Sequence, residues 1–459
     1  MAPRKRKGKV RPPQLAAVNL HAAGIDIGAT EHWVAVPADC DPQPVRRFGA
    51  CTADLEASAE WLSACGVTTV AMESTGVYWI PLFELLEARG FAVVLADARE
   101  VQRAPGRPKS DVQACQWLQR LHTYGLLAAA FRPPEQVCVL RSYLRQRAML
   151  VSYAGHHIQH MQKALTQMNL KLQHVVSDVT GVTGMAIRKA VLHGERDPEH
   201  LAKLRTRHCQ HTEAEIARAL QGNWRAEHLF ALQQAVELYE FYHRQIEACD
   251  RQIAAHLQTF ADKSEGKTLP HRPRKRKRGA TEPRFAARAP LFRLSGVDLT
   301  AIEGIEENTA LVLLSEIGTD MNRWPSEKHF AAWLGLCPHH KISGGKVLSR
   351  KVRPGANRAA LALRLAANCL HQSQSALGAF FRRLKARLGT PKAIVATAHK
   401  LARLGYRLLK YGEAYVAQGM AEYEQAYRER TVQNLVRKAK ALGYKLLPVT
   451  AAATQEAPA

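Results

Sequence analysis

The chain has 459 residues, too many for one core, so two or three domains are expected. Its 46% hydrophobic content argues for folded domains rather than a basic tail, and its net charge of +25 favours a polyanionic partner bound in a salt-dependent way. The nine cysteines are scattered and form no Cys-x-x-Cys, which argues against a zinc finger or a disulfide framework, and no apolar run is long enough to span a bilayer.

Residues 1–19 read as a basic, proline-containing arm. Arg4-Lys5-Arg6-Lys7 has no apolar stretch behind it, so it is not read as a secretory signal. Residues 20–131 alternate strand and helix patterns. Strands are predicted over 22–28, 32–37 and 44–51, a helix over 53–65, a strand over 68–73, a helix over 79–89, a strand over 91–96 and a helix over 110–124. Three strands followed by alternating helices and strands predict an α/β layer of ribonuclease-H type. Pro133-Pro134 ends this unit.

Residues 132–261 are predicted helical. Apolar spacing over 135–170 and about 225–260 suggests an antiparallel or intermolecular coiled coil. Between them, 176–222 is mixed, with a glycine-rich turn from Thr180 to Gly184. Residues 262–290 form a basic linker by composition. Its run Arg274, Lys275, Arg276, Lys277 and Arg278 is either a solvated charge block or a nucleic-acid contact. Residues 291–420 read as a second, mainly helical domain, and 421–459 as a basic helix and disordered tail. Between Asn368 and Tyr411 one helical face is apolar. The other, with Arg382, Arg403 and Arg407 among its cations, is a candidate phosphate track.

Chemistry enters through three acids. Asp26 sits near the end of the apolar run from Ala22 to Gly28, and an acid in such a segment is costly unless paired, protonated or bound to a cation. Glu73 ends the run from Thr68, and Asp111 follows Ser110 at a helix start. Carboxylates converging from strand ends suit Mg²⁺, which prefers oxygen ligands, and two ions roughly 4 Å apart would serve phosphodiester chemistry. The competing reading makes Asp26 the start of a turn, Glu73 a cap for the next helix and Asp111 an N-cap. Three such acids in one α/β unit favour the metal site.

The stretches Gly24-Ile25-Asp26-Ile27-Gly28, Glu73-Ser74-Thr75-Gly76-Val77-Tyr78-Trp79 and Lys109-Ser110-Asp111 resemble the three motifs of the DEDD transposases. These belong to the insertion-sequence family numbered 110, and the motifs lean toward its 1111 branch. The resemblance implies a RuvC-like first domain, with Asp26, Glu73 and Asp111 as ligands of Mg²⁺. The family's last motif is Asp-x-x-Asp, whereas Ala114 stands three residues after Asp111 here. A lone Asp-to-Ala replacement at a metal ligand is what one would introduce to stop catalysis and trap a complex. The chain is therefore expected to be catalytically impaired, with Ala114 marking the missing acid.

In the second domain, the segment from Ile302 to Ala310 resembles a helix-hairpin-helix that grips nucleic-acid backbone, and a plain packing turn is the alternative. Ser343 precedes Gly344-Gly345, where a phosphate could approach backbone closely, and Lys341, Lys346, Arg350, Lys351 and Arg353 surround it with positive charge. By spacing alone Ser-Gly-Gly is an ordinary loop. The order of Gly304-Ile305, Ser315-Glu316-Ile317-Gly318, Trp333-Leu334-Gly335-Leu336, Ser343-Gly344-Gly345-Lys346 and Gly355-Ala356-Asn357-Arg358 resembles the family's C-terminal domain. That resemblance implies Ser343 as a nucleophile forming a covalent phosphoserine link. It also implies a composite site shared between protomers, and Arg358 joins the expected nucleic-acid contacts. Ser349 and Ser326 are the alternative nucleophiles, Ser326 being better read as an N-cap. His339 and His340 are expected to be a solvated pair.

The resulting expectation is a DNA recombinase acting on donor and target DNA. By resemblance it is guided by an element-encoded, bridge-type RNA, assembles as a homodimer or a dimer of dimers, and works in the bacterial cytoplasm at the nucleoid. A RuvC-like junction-resolving nuclease using water, and a non-catalytic nucleic-acid-binding scaffold, are the alternatives.

Overall fold

The computed structural model describes residues 15–447 except Thr75, 97–109, 272–278, Ala280, Arg350, Arg353, Pro354 and Ala356. The chain divides into two compact units, one ending at Arg132 and the other beginning at Pro133.

The first unit is built on a five-stranded sheet. Its strands are β1 (Ala22–Ile27), β2 (Glu31–Ala35), β3 (Val45–Gly49), β4 (Thr69–Glu73) and β5 (Ala92–Ala96), in the order β3-β2-β1-β4-β5. β1, β2 and β3 are antiparallel neighbours, while β1, β4 and β5 run parallel. Parallel neighbours need crossovers, and α1 (Thr52–Ala64) and α2 (Trp79–Ala88) lie in those connections. α3 (Asp111–Thr123) follows the sheet. This is the α/β layer that the alternation of patterns predicts, each element falling within about two residues of its expected ends.

Side chains alternate across a strand, which divides β1 into two faces. Ala23, Ile25 and Ile27 join Val70 and Met72 of β4 in a core with residues of α1 and α2 such as Leu62 and Leu86. The opposite face carries Ala22, Gly24 and Asp26 on β1, with Thr69, Ala71 and Glu73 on β4. α3 covers that face. A Cβ on Gly24 would lie 2.2 Å from the backbone nitrogen of Gln119 and 2.4 Å from the carbonyl of Cys115, so only glycine admits the helix there. Further along, Nε2 of His122 and Oγ1 of Thr69 are 2.8 Å apart. Val18 and Asn19 both donate backbone hydrogen bonds to the Thr123 carbonyl, so the last residues of the expected N-terminal arm are anchored.

The second unit begins with α4 (Glu135–Gln167), 33 residues or roughly 50 Å long. Four short helices follow: α5 (Leu172–Val175), α6 (Val182–Leu192), α7 (Pro198–Lys203) and α8 (Glu213–Ala219). The chain then returns along α9 (Ala226–Gln258). Contacts from His256 to Gln136, Asp250 to Arg147 and Tyr242 to Tyr153 show that α4 and α9 are antiparallel within one chain. The expected glycine-rich turn opens α6. Gly184 packs on Val179, and the buried Arg188 donates to the Val179 carbonyl.

Arg147 and Asp250 form a buried ion pair at 2.6 Å. The guanidinium also donates to the Thr281 carbonyl, and the carboxylate accepts the Arg284 amide. Residues 281–284, expected as part of a linker, are thus held on the helix pair. The remaining helices are α10 (Arg288–Ser295), α11 (Glu307–Ile317), α12 (Glu327–Trp333), α13 (Arg358–Cys369), α14 (Ala376–Leu388), α15 (Thr390–Tyr411) and α16 (Glu413–Ala441). A two-stranded hairpin, β6 (Lys341–Ser343) and β7 (Lys346–Ser349), interrupts them. The expected disordered tail lies outside the described residues from 448 onward.

Candidate active site

The site in the first unit follows from strand register. Ile25 is paired with Met72, so one step further Asp26 stands beside Glu73 at the carboxyl ends of adjacent parallel strands. Gly24 and Ala71 are paired two positions earlier, so all four residues share the face covered by α3. Glu73 is only 5% exposed and Asp26 is half-buried. Neither has the role that the competing reading assigns. Asp26 lies inside β1 opposite Trp33, and α2 has no side-chain cap.

α3 delivers the third acid. Ser110 is its N-cap, its hydroxyl accepting from the Gln113 amide at 3.4 Å. Asp111 is the first helical residue and is exposed, so its carboxylate is not consumed by capping. Because Cys115 and Gln119 sit over Gly24, the preceding turn of α3 lies toward Asp26. The charges report the same arrangement. Burial pushes the Cys115 thiol up to about 12, and the carboxylates of Asp26 and Asp111 add to that rise. Ala114 is half-buried beside Cys115, one helical turn after Asp111, with a methyl group where a carboxylate is expected.

This donor set suits a hard cation. Mg²⁺ is commonly held by one or two carboxylates, with waters and substrate phosphates completing its octahedron. Asp26 and Glu73 supply such a pair, with Asp111 nearby. Among the described residues, no three His, Cys, Asp or Glu side chains converge closely enough to form a ready-made cage.

Ser343 belongs to the second unit. It is the last residue of β6, and Gly344 and Gly345 form a two-residue turn with φ of +53° and +75°. Positive φ at both positions marks a type I′ hairpin, where glycine carries no steric cost. Ser343 is therefore an exposed strand residue at the hairpin tip, paired with Lys346. Helical periodicity obscured this hairpin, although Gly-Gly between two short strand-forming stretches was a signal for it.

The alternative serines are occupied. Ser326 caps α12, its hydroxyl lying 2.8 Å from Nδ1 of His329, and Ser349 accepts from the Lys351 amide. His339 and His340 are exposed, as expected.

Lys341, Lys346 and Lys351 are exposed on or beside the hairpin, and Arg358 opens α13 after the Asn357 cap. Arg350, Arg353 and the run Arg274, Lys275, Arg276, Lys277 and Arg278 lie outside the described residues. Two expected phosphate contacts have other work. Arg403 and Arg407 both pair with Glu327, locking α15 to α12. The Gly304 turn, with φ of +87°, packs tightly on Leu370 and the Ala366 carbonyl of α13, which favours a packing role.

No helix among the described residues is long and apolar enough to cross a membrane. Comparison with curated proteins gives no match. Two family models do match. One, described as a DEDD transposase of IS110 type, covers residues 23–170 and so contains Asp26, Glu73, Asp111 and Ala114. The other, described as transposase of the IS116/IS110/IS902 family, covers residues 298–382 and contains Ser343. With both blocks present in order and together spanning about half of its length, the chain belongs to the IS110 family of transposases.

Proposed function

We propose that the protein cuts and rejoins DNA strands at insertion-sequence ends and target, with Ser343 as nucleophile and Mg²⁺ held by Asp26, Glu73 and Asp111. The observation that carries this reading is the position of Asp26 and Glu73, each one residue beyond the paired Ile25 and Met72, at neighbouring strand ends under α3. Two carboxylates at adjacent strand ends offer the oxygen donors that Mg²⁺ prefers. When bound, Mg²⁺ would polarise the phosphate and ease ionisation of the attacking hydroxyl.

The protein's own groups do the rest. Ser343 presents its hydroxyl on an exposed tip where a phosphate can reach it. The lysines around it neutralise the DNA backbone. The acids lie in the first unit and the nucleophile in the second, so cleavage depends on joining two half-sites, and we assign them to different protomers of a dimer or dimer of dimers. We assign sequence choice to an element-encoded structured RNA whose loops pair with donor and target, and the chain to the 1111 branch. By their charge the N-terminal arm and the run at 274–278 suit RNA, as does the α4–α9 pair, since RNA is bound largely through shape and phosphate contacts.

Ala114 supports an impaired centre and gives the binding-scaffold reading its one point of support. The test compares this protein with its Ala114→Asp variant, each supplied with the element's RNA, donor DNA, target DNA and Mg²⁺. Denaturing gels are read for protein-linked DNA, with Ser343→Ala as control. We expect a linked band that grows with the restored acid and vanishes without Ser343. Cleaved DNA with no linked protein would replace this reading with a water-using nuclease, and no cleavage by either variant would leave the scaffold.

A further inference from the structure

We propose that Lys346 is a catalytic residue of this reaction: its ammonium contacts the phosphate attacked by Ser343 and offsets charge on the non-bridging oxygens in the transition state. This deepens the assignment of Ser343 above and rests on it.

The argument starts from the turn. Two consecutive glycines at positive φ close the hairpin in two residues, which fixes Ser343 opposite Lys346. A slip of one residue would turn Lys346 to the other face. Directly paired residues send their side chains to the same side, with Cβ atoms about 4.5–5.5 Å apart. Ile342 and Val347, the next pair, occupy the opposite side and are exposed. At its tip the hairpin thus has a hydroxyl and an ammonium on one side, with Ile342 and Val347 on the other. Both residues of the polar pair are exposed, and nothing lies within 4 Å of the space beside either glycine. Hydroxyl and ammonium are thus both open to a phosphodiester at the tip.

The chemistry needs a cation at that distance. Attack by Oγ forms an Oγ–P bond and breaks one P–O ester bond to a deoxyribose oxygen. The serine proton passes to solvent, and the departing oxygen takes up a proton as a hydroxyl. Negative charge stays on the non-bridging oxygens throughout, where a positioned donor acts most strongly. An ammonium has three donors and no acceptor, so Lys346 serves as this electrostatic partner rather than as the base. Lys341 is less well placed. It is paired with Ser349 at the open end of the hairpin, beyond a register shift.

The test uses the full-length Ala114→Asp protein with its RNA, DNA and Mg²⁺. The single-turnover rate of the Ser343 adduct and the DNA affinity are measured separately. Lys346→Ala should slow the adduct by roughly 10²–10³-fold at saturating DNA and leave affinity within a few-fold. Lys346→Arg should recover most of the rate, whereas Lys346→Gln, which keeps length without charge, should not. An adduct rate for Lys346→Ala within threefold of its parent overturns the proposal while leaving Ser343 as nucleophile. A parent that forms no adduct, or an adduct that persists in Ser343→Ala, overturns both assignments.

Discussion

Gly24→Ala tests how closely the acidic site depends on one missing methyl group. The added Cβ would lie 2.2 Å from the Gln119 nitrogen and 2.7 Å from its Cα, both on the backbone of α3. Real Cβ contacts do not fall below about 3.0 Å, so α3 must retreat from β1 by at least about 0.8 Å. Backbone cannot change rotamer to relieve the clash, and overpacking of this kind costs about 1–3 kcal/mol. For a unit of this size that corresponds to roughly 4 °C in Tm per kcal/mol, or a fall of about 4–12 °C. The same retreat carries Asp111 away from Asp26 and Glu73. Displacements near 1 Å in a catalytic site can cost about 10²-fold in rate. Scanning calorimetry of the full-length protein, with and without Mg²⁺, reads both effects: a lower Tm for the first unit and a smaller rise on adding Mg²⁺. A Tm within about 1 °C of the parent, with an unchanged Mg²⁺ response, would refute the claimed packing of α3 and the site geometry built on it.

Three further outcomes are expected. Arg147→Ala leaves the buried Asp250 carboxylate without its guanidinium and should cost about 3–5 kcal/mol in chemical denaturation. It should also speed proteolysis near Thr281, whose carbonyl loses its donor; an unchanged midpoint and cleavage pattern would contradict the latch role. Burial holds His32 and His122 below the ordinary histidine value of about 6.5, a backbone hydrogen bond at Glu31 opposing the effect in His32. The unfolded chain therefore takes up protons first as pH falls. Their contribution to stability is fully present above about pH 6.5 and is lost below it, through the lowered folded values. Tm should drop between pH 7.5 and 5.5, and less steeply in His122→Gln; an equal slope in both proteins would count against it. Gly155→Ala, within α4 and with open space around it, should raise stability by about 0.4–1 kcal/mol, and a loss would show an unseen contact there.

Much of the first unit was legible because its signals are local. Apolar runs such as Ala22–Ile27 and Thr69–Glu73, separated by helical periodicity, specify a layered α/β sheet without reference to distant residues. Asp26 and Glu73 stood out because they sit near the ends of such runs, and Asp111 because it follows a serine at a helix start. Strand pairing is non-local, so the sequence could not place Asp26 beside Glu73. Nor could it reveal that α3 lies directly on Gly24, although a glycine inside a strand hints at close backbone approach. In the second unit the helical pattern of 135–167 and 226–258 was readable, but two long amphipathic helices fit intramolecular and intermolecular pairing equally well. Contacts such as Arg147 to Asp250 decide for antiparallel packing in one chain. The hairpin at 341–349 was harder still. Its strands have three and four residues, too few to establish an alternating pattern, and it lies among helices.

The two half-sites have opposite physical characters, and each fits its proposed task. Asp26 and Glu73 sit on paired strands with a helix packed over them, which fixes the direction of groups meant to hold a cation. Such a cluster gains from rigidity, because every ligand that wanders weakens the electrostatic field at the phosphate. Ser343 sits on a short hairpin whose residues from Lys341 to Leu348 are all exposed, and an isolated hairpin is marginal in water. A nucleophile meant to enter a complex assembled elsewhere gains from such exposure. A serine at its free pKa is a weak nucleophile, so the exposed tip does little by itself. Under the proposed mechanism, neither half can cut DNA alone, and the missing carboxylate at Ala114 would block the reaction after assembly rather than before it. That predicts an Ala114 protein able to gather RNA and both DNAs while forming little adduct. A protein that failed to assemble until Asp was restored would place the acid in assembly instead of chemistry.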